Sequence, residues 1–149
     1  MMKLDPRAEA LVFRNKVFFF LDEAGRLRFA ELARPVAYPR GHVLFREGEK
    51  GDTFYVVAKG TVAVDVDDNG VPLRVGELKP GQFFGEMATV TNQPRSATVT
   101  ALEDVELLAF EREPVQALLK DYPKLRELLG KVGLARSEDS LQKILHTDP

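Results

Sequence analysis

The 149-residue sequence contains no cysteine. This absence excludes disulfides, thiolate metal sites and a cysteine nucleophile, and it is typical of a reducing compartment, so we expect a cytoplasmic protein. The longest apolar run, Val17 to Leu21, is far shorter than the roughly 20 residues of a membrane helix, and the charged opening MMKLDPRAEA is unlike a signal peptide. We therefore expect neither a membrane anchor nor export.

The sequence also lacks a charge bias and catalytic motifs. The formal net charge is -2 although 30% of the residues are charged, so no basic excess points to DNA. The two histidines, His42 and His146, are far apart, and the phosphate-loop, dinucleotide, nucleophile-elbow and zinc-protease motifs do not occur. We expect a protein that is not an enzyme and has no catalytic residue, metal or cofactor.

Turn residues divide the middle of the chain into short runs that favour β-strands. Eight such runs are predicted as strands: PVAY, HVLF, FYVV, TVAVDV, PLRVGEL, GQFF, SATVTA and VELLAF. Asn69-Gly70 supplies the positive φ of a tight hairpin after the fourth run. Short strands at this regular spacing predict a sandwich or barrel.

Helical patterns flank the strands on both sides. The apolar spacing between Arg7 and Ala33 predicts one or two short helices, interrupted near Gly25. After Glu111, Pro114 suits the first turn of one helix and Pro123 the start of the next. We predict a mainly β fold with flanking helices (α+β), forming one domain from a helical segment at 1–34, a β-barrel of about eight strands at 35–111 and helices at 112–149.

The stretch FGEMATVTNQPRSATV, residues 84–99, contains two charged residues, Glu86 and Arg95. Small residues such as Gly85 and Ala88 allow a ligand to come close. Arg95 can donate two parallel N–H bonds to a phosphate, and ionised Glu86 can accept a hydrogen bond from a sugar hydroxyl. A phosphate beside a ribose would satisfy both charges, although single glutamate and arginine residues are more often solvated surface residues.

This stretch resembles the phosphate-binding cassette of the cyclic nucleotide-binding domains, which occur in catabolite activator protein, protein kinase A regulatory subunits and cyclic-nucleotide-gated channels. Phe84-Gly85-Glu86 and Pro94-Arg95-Ser96-Ala97-Thr98-Val99 match the cassette at its usual spacing. The segment from Tyr38 to Val64 and the run LKPGQFFGE also resemble the family, and the similarity covers roughly residues 17 to 125. It implies a double-stranded β-helix, or jelly-roll, barrel.

The resemblance also implies the roles of individual residues. Arg95 would pair with the cyclic phosphate, and Glu86 would accept from the ribose 2′-hydroxyl. The implied ligand-binding set is Phe84, Gly85, Glu86, Met87, Ala88, Arg95, Ser96 and Ala97 in the cassette, with Val64, Val75 and Leu78 near the base or sugar. At the position of Ser96, kinase domains of the family that select cAMP often have alanine, and members that favour cGMP have threonine. Ser96 lies between the two and resembles the residue of catabolite activator protein, which responds to cAMP, so we favour cAMP.

The C-terminal stretch from Pro123 to Leu145 is expected to act as a movable lid, as the corresponding helix does in the family. Gly130 and Gly133 each cost a helix about 1 kcal/mol relative to alanine, which makes this stretch easier to rearrange.

We therefore expect a stand-alone sensor that binds a 3′,5′-cyclic purine nucleotide, cAMP or cGMP, and signals to an unknown effector protein as a monomer or weak dimer. The alternative is a degenerate domain that keeps the fold and acts as a protein-interaction module without ligand, although intact Glu86 and Arg95 argue against it. A DNA-binding regulator would need a helix-turn-helix after the last predicted helix, for which the sequence leaves no room. We expect no DNA partner.

Overall fold

The computed structural model of the chain describes residues 7–8, 21–85 and 93–129. Within them, eight strands and two helices have both ends described, which confirms the predicted mainly β fold with flanking helices. The strands are β1 (Arg34–Tyr38), β2 (Val43–Phe45), β3 (Thr53–Lys59), β4 (Val62–Asp68), β5 (Val71–Leu78), β6 (Phe83–Phe84), β7 (Thr98–Ala101) and β8 (Val105–Glu111), and the helices are α1 (Glu23–Glu31) and α2 (Arg112–Asp121). Residues 123–129 are also helical.

The strands form two four-stranded antiparallel sheets, in the orders β1-β8-β3-β6 and β2-β7-β4-β5. Among these eight strands, β4 and β5 are the consecutive pair that shares a sheet, and every other connection crosses from one sheet to the other. At the β4–β5 turn, Asn69 and Gly70 have φ angles of 54° and 86°, as the predicted tight hairpin requires. The crossing connections give the jelly-roll arrangement.

Strand pairing brings distant parts of the sequence to one region of the barrel. Tyr55 of β3 lies opposite Phe84 of β6, and Phe45 of β2 lies opposite Val99 of β7. Gly85, which follows β6, and Arg95, which precedes β7, therefore lie beside the connection between β2 and β3. Both ends of the 84–99 stretch are in this region.

Two main clusters of buried side chains stabilise the fold. The first joins the helices to the β1-β8-β3-β6 sheet, where the rings of Phe29 and Phe110 stack with centroids 4.7 Å apart. The second fills the space between the two sheets. Leu107 belongs to the second cluster and its neighbour Leu108 to the first, so β8 is buried on both faces. Burying one such side chain contributes roughly 1.5–3 kcal/mol.

Helix α1 differs from the prediction of a break near Gly25. The helix begins at Glu23 after the N-cap residue Asp22, and Gly25 is the third residue inside it. The Gly25 N–H donates a 2.8 Å hydrogen bond to Asp22 Oδ1, which satisfies one of the free donors of the first turn. A Cβ atom at Gly25 would lie 2.6 Å from Cζ of Tyr122. The absence of a side chain at Gly25 therefore leaves room for the ring of Tyr122 to pack against the helix.

The helices after β8 begin where the prolines predict. Pro114 lies in the first turn of α2, and Pro123 begins the helical segment 123–129. Tyr122 ends α2 with φ -133° and ψ 66°, and its carbonyl accepts from the N–H of Leu125. Residues 130–145 of the predicted lid, including Gly130 and Gly133, lie outside the described residues.

Candidate functional site

Arg95 is the one polar or charged residue among the buried residues that the structure describes. Its exposed fraction is 7%. The Nη1 group donates a 3.4 Å hydrogen bond to the carbonyl oxygen of Gly85, and Cζ lies 4.0 Å from the ring centroid of Phe45. A buried guanidinium keeps its charge at any physiological pH, so this region carries a fixed positive charge with little contact to bulk water.

The backbone of Arg95 is bound to the β2–β3 connection in both directions. The Arg95 N–H donates to the carbonyl of Glu49, and the Gly48 N–H donates to the carbonyl of Arg95, each at 2.8 Å. Gly48 has a φ of 85°, a conformation that other residues rarely adopt. The Glu47 N–H also donates to Thr98 Oγ1 at 3.0 Å, which ties the same connection to the start of β7. These bonds fix the position from which the Arg95 side chain extends.

Two glycines leave the space that the guanidinium occupies. A Cβ atom at Gly51 would lie 2.5 Å from Nε of Arg95. At Gly85, where φ is 82°, a Cβ atom would lie 2.7 Å from Nη1 of Arg95 and 2.9 Å from the carbonyl oxygen of Thr53. Any larger residue at either position would have to displace the arginine.

Three aromatic rings, which we call the aromatic cluster, lie next to this arginine: Phe45, Tyr55 and Phe84. Tyr55 stacks on Phe84 at 5.1 Å, and Phe45 lies 5.9 Å from Phe84 and 6.4 Å from Tyr55. Burial is the main cause that raises the pKa of Tyr55 above 10.0, and the positive charge of Arg95 opposes this effect. Tyr55 is therefore a neutral hydroxyl at physiological pH.

The residues predicted to lie near a base or sugar, Val64, Val75 and Leu78, do not all lie together, and two of them pack with Ala97 of the cassette. Val75 and Ala97 are buried together with Val66, and half-buried Val64 packs against them. Leu78 packs instead against the cluster between the two sheets, which Val64 also contacts. The structure thus brings three of the predicted residues, Val64, Val75 and Ala97, to one apolar surface.

The predicted cassette residues are described in part. Phe84 is buried, Gly85 is half-buried beside Arg95, and Ser96 is exposed. Glu86, Met87 and Ala88 lie outside the described residues. Phe45 and Gly51 were not among the predicted site residues, although both lie against Arg95. An aromatic residue in a strand and a glycine in a turn are common, so the sequence contains no signal that would have selected them.

The arrangement combines a buried cation with an adjoining apolar surface. A guanidinium can donate two parallel hydrogen bonds to an anion such as a phosphate, and the apolar surface of Val64, Val75 and Ala97 can contact an uncharged ring. Within the described ranges, no three histidine, cysteine, aspartate or glutamate side chains are grouped so that they could hold a metal ion. Residues 21–85 and 93–129 include no helix with the length and apolar character needed to cross a membrane.

Comparison with known proteins finds relatives by sequence and by fold. Residues 35–122 match the family described as "Cyclic nucleotide-binding domain". The chain is 36% identical over 126 residues to a cyclic nucleotide-gated potassium channel of Rhizobium etli. The aligned segment covers 85% of this chain and 34% of the channel. This chain therefore spans about a third of the channel's length.

Two solved structures illustrate the likeness in fold. The regulatory domain of Toxoplasma gondii PKA, crystallised with cAMP, has a TM-score of 0.77 at 25% identity, over 86% of this chain and 49% of that one. The catabolite activator protein of Thermus thermophilus has a TM-score of 0.73 at 30% identity, over 87% of this chain and 62% of that one. Both likenesses include most of this chain and about half or more of the other.

Proposed function

We propose that this chain, which belongs to the cyclic nucleotide-binding domain family, binds a 3′,5′-cyclic purine nucleotide and passes the signal to a partner protein. The observation that carries the proposal is the placement of Arg95. Arg95 is 7% exposed, and its guanidinium lies against Gly51 and against Gly85 of the cassette. The planar fork of an arginine fits two oxygens of a phosphate, which lysine cannot match in the same plane.

In the proposed complex, each part of the nucleotide has its own contacts. Arg95 binds the cyclic phosphate, and Glu86 accepts from the ribose 2′-hydroxyl. Backbone groups near Gly85, Met87, Ala88, Ser96 and Ala97 complete the phosphate shell. The apolar surface that includes Val64 and Val75 supports the assignment of the base or sugar to that side. Leu78 packs against the cluster between the two sheets, which Val64 also contacts.

Calorimetric titration with cAMP and 5′-AMP tests the proposal. Arg95→Ala should weaken cAMP binding by about two to four decades, because breaking a buried ion pair costs about 3 to 5 kcal/mol. The matched control is Arg28→Ala, which removes the same charge from an exposed residue that pairs with Asp121 at 2.9 Å, and it should bind like the unmodified chain. Binding by Arg95→Ala within threefold of the unmodified chain, or equal affinity for AMP and cAMP, would contradict the proposal.

The base preference proposed from Ser96 is for cAMP over cGMP. Ser96 is exposed, so its hydroxyl can meet a ligand without rearrangement of the core. Competition between the two nucleotides measures the preference directly. A preference of tenfold or more for cGMP would overturn this part of the proposal.

The proposed role is binding rather than catalysis. Prolonged incubation with the purified chain should return cAMP unchanged, and release of 5′-AMP would show that the chain hydrolyses it. If neither nucleotide binds, the result favours the alternative of a protein-interaction module that keeps the fold. A cytoplasmic location and a monomeric or weakly dimeric state stay predictions.

A further inference from the structure

We propose that Phe45 is a positioning residue for Arg95, whose ring holds the guanidinium ready for the phosphate before the nucleotide arrives. The inference rests on the proposed function, because it assigns Phe45 a role in the same binding site. It concerns a residue that lies outside the cassette, fifty positions before Arg95 in the sequence.

The geometry is that of a cation–π contact. Cζ of Arg95 lies 4.0 Å from the centroid of the Phe45 ring, well inside the limit of about 6 Å for this interaction. Arg95 is 7% exposed, so water competes little with the negative face of the ring for the cation. Contacts of this kind change an equilibrium constant by about 2- to 30-fold, and the larger values belong to desolvated pairs.

The Phe45 ring is itself held in place. Phe84 and Tyr55 lie 5.9 Å and 6.4 Å from it, and these two rings stack on each other at 5.1 Å. In the backbone, Phe45 of β2 lies opposite Val99 of β7. The ring is therefore a fixed surface, and a side chain that packs against it is restricted as well.

This restriction matters because arginine has many rotamers. Ordering a free arginine at the moment of binding would weaken the affinity, whereas an arginine already ordered in the folded chain avoids that loss. The backbone bonds of Arg95 to Gly48 and Glu49 fix one end of the residue, and Phe45 contacts the other. An aliphatic residue at position 45 could fill the space but has no negative ring face.

A double-mutant cycle on the unliganded chain tests the contact without any ligand. Phe45→Leu and Arg95→Met are made singly and together, and the unfolding equilibrium constant is measured in denaturant. We expect a coupling of about 2- to 30-fold. Phe45→Tyr keeps the ring and should retain the coupling, and Phe45→Ile serves as a second aliphatic variant if Phe45→Leu does not fold. The control pair, Phe83→Leu with Arg95→Met, should be additive, because Phe83 packs against Phe54 in the other cluster.

Calorimetry with cAMP then tests the positioning role. Phe45→Leu should bind about 3- to 30-fold more weakly than the unmodified chain, and Phe45→Tyr should bind within about twofold of it. If the unmodified chain binds cAMP and Phe45→Leu binds it equally well, or if the cycle shows no coupling, the inference is wrong and the proposed function stands. If the unmodified chain binds no cyclic nucleotide, the proposed function itself is overturned, together with the ligand role of Phe45.

Discussion

The hydroxyl of Tyr122 donates a 2.7 Å hydrogen bond to Oδ1 of Asp22, one hundred residues earlier in the chain. Asp22 is the N-cap of α1, and Tyr122 is the C-cap of α2. Arg28 and Asp121 join the same two helices through a 2.9 Å ion pair. The helix before the barrel and the helices after it are thus connected directly, and the connection can be tested through pH and through packing.

The first prediction concerns pH. The hydrogen bond from Tyr122 is the main cause that lowers the pKa of Asp22 below 3.8, and the N–H of Gly25 adds to it. Because the folded-state pKa is lowered, the stabilisation is complete above the ordinary pKa and is lost as the pH falls through the folded value. The melting temperature of Tyr122→Phe should therefore be below that of the unmodified chain at pH 7, with a smaller difference near pH 3.

The alkaline side of the pH range and a variant of Asp22 complete this test. The same bond raises the pKa of Tyr122 above 10.0, so its contribution is complete below that pH and is lost as the pH rises through the folded value. Asp22→Asn keeps an acceptor for the N–H of Gly25 but cannot ionise, so the acid-side loss from this residue should disappear. An equal effect of Tyr122→Phe at pH 3 and pH 7 would count against the assignment.

The second prediction concerns Gly25, where replacement by alanine should lower the free energy of unfolding when the Tyr122 ring is present and raise it when the ring is absent. Gly25→Ala places a Cβ atom 2.6 Å from Cζ of Tyr122, so the ring must move away from Asp22, and we expect a lower free energy of unfolding. In a Tyr122→Ala background the ring is gone, and the same substitution should stabilise α1 by up to about 1 kcal/mol. Denaturant unfolding of the four chains measures both effects. Destabilisation by Gly25→Ala in both backgrounds would mean that another neighbour limits the space.

The third prediction compares two glycines, one that lies against Arg95 and one that has a positive φ but no close neighbour among the described residues. Gly51→Ala should weaken cAMP binding by about a decade or more, because its Cβ would lie 2.5 Å from Nε of Arg95 and must displace the guanidinium. Gly51 does not have a positive φ, so the substitution adds no left-handed backbone strain, and any loss of stability comes from the displaced Arg95 side chain.

Gly41→Ala is the matched control for this prediction. Gly41 has a φ of 88°, and no atom of the described residues lies within 4 Å of the position that its Cβ would take. The substitution should therefore cost about 1 kcal/mol of stability and leave cAMP affinity unchanged. Calorimetry and denaturant unfolding on both variants give the comparison. Equal affinities for Gly51→Ala and Gly41→Ala would contradict the proposed position of the ligand beside Arg95.

Most of the fold could be predicted because its turns are marked by the residues that they require. Asn69-Gly70 predicts the hairpin between β4 and β5, and Pro123 predicts the start of a new helix after Tyr122. The predicted break near Gly25 differs from the structure for a physical reason. A glycine that makes room for a neighbouring side chain cannot be distinguished in the sequence from a glycine that interrupts a helix. The sequence of α1 contains no information about a ring that arrives from residue 122.

The candidate site could be predicted where its residues are close together in sequence. Arg95 and Gly85 belong to one short motif, and the structure places them in contact. Phe45 and Gly51 reach Arg95 through the pairing of β2 with β7 and the bonds of the β2–β3 connection, which no local pattern indicates. The position of Leu78 apart from Val75 likewise depends on the register of β5 against β4.

The pairing of β1 with β8 has a consequence for how the chain folds. Arg34 lies opposite Ala109, so the β1-β8-β3-β6 sheet joins residues that are 75 positions apart. On a ribosome, β1 therefore emerges long before its partner strand has been made, and the sheet can be completed only late in synthesis. Closing such long loops is slow compared with forming helices or hairpins. The β4–β5 hairpin, whose strands are adjacent in sequence, is the part of the barrel that can form first, while the emerging β1 edge is exposed to association with other chains.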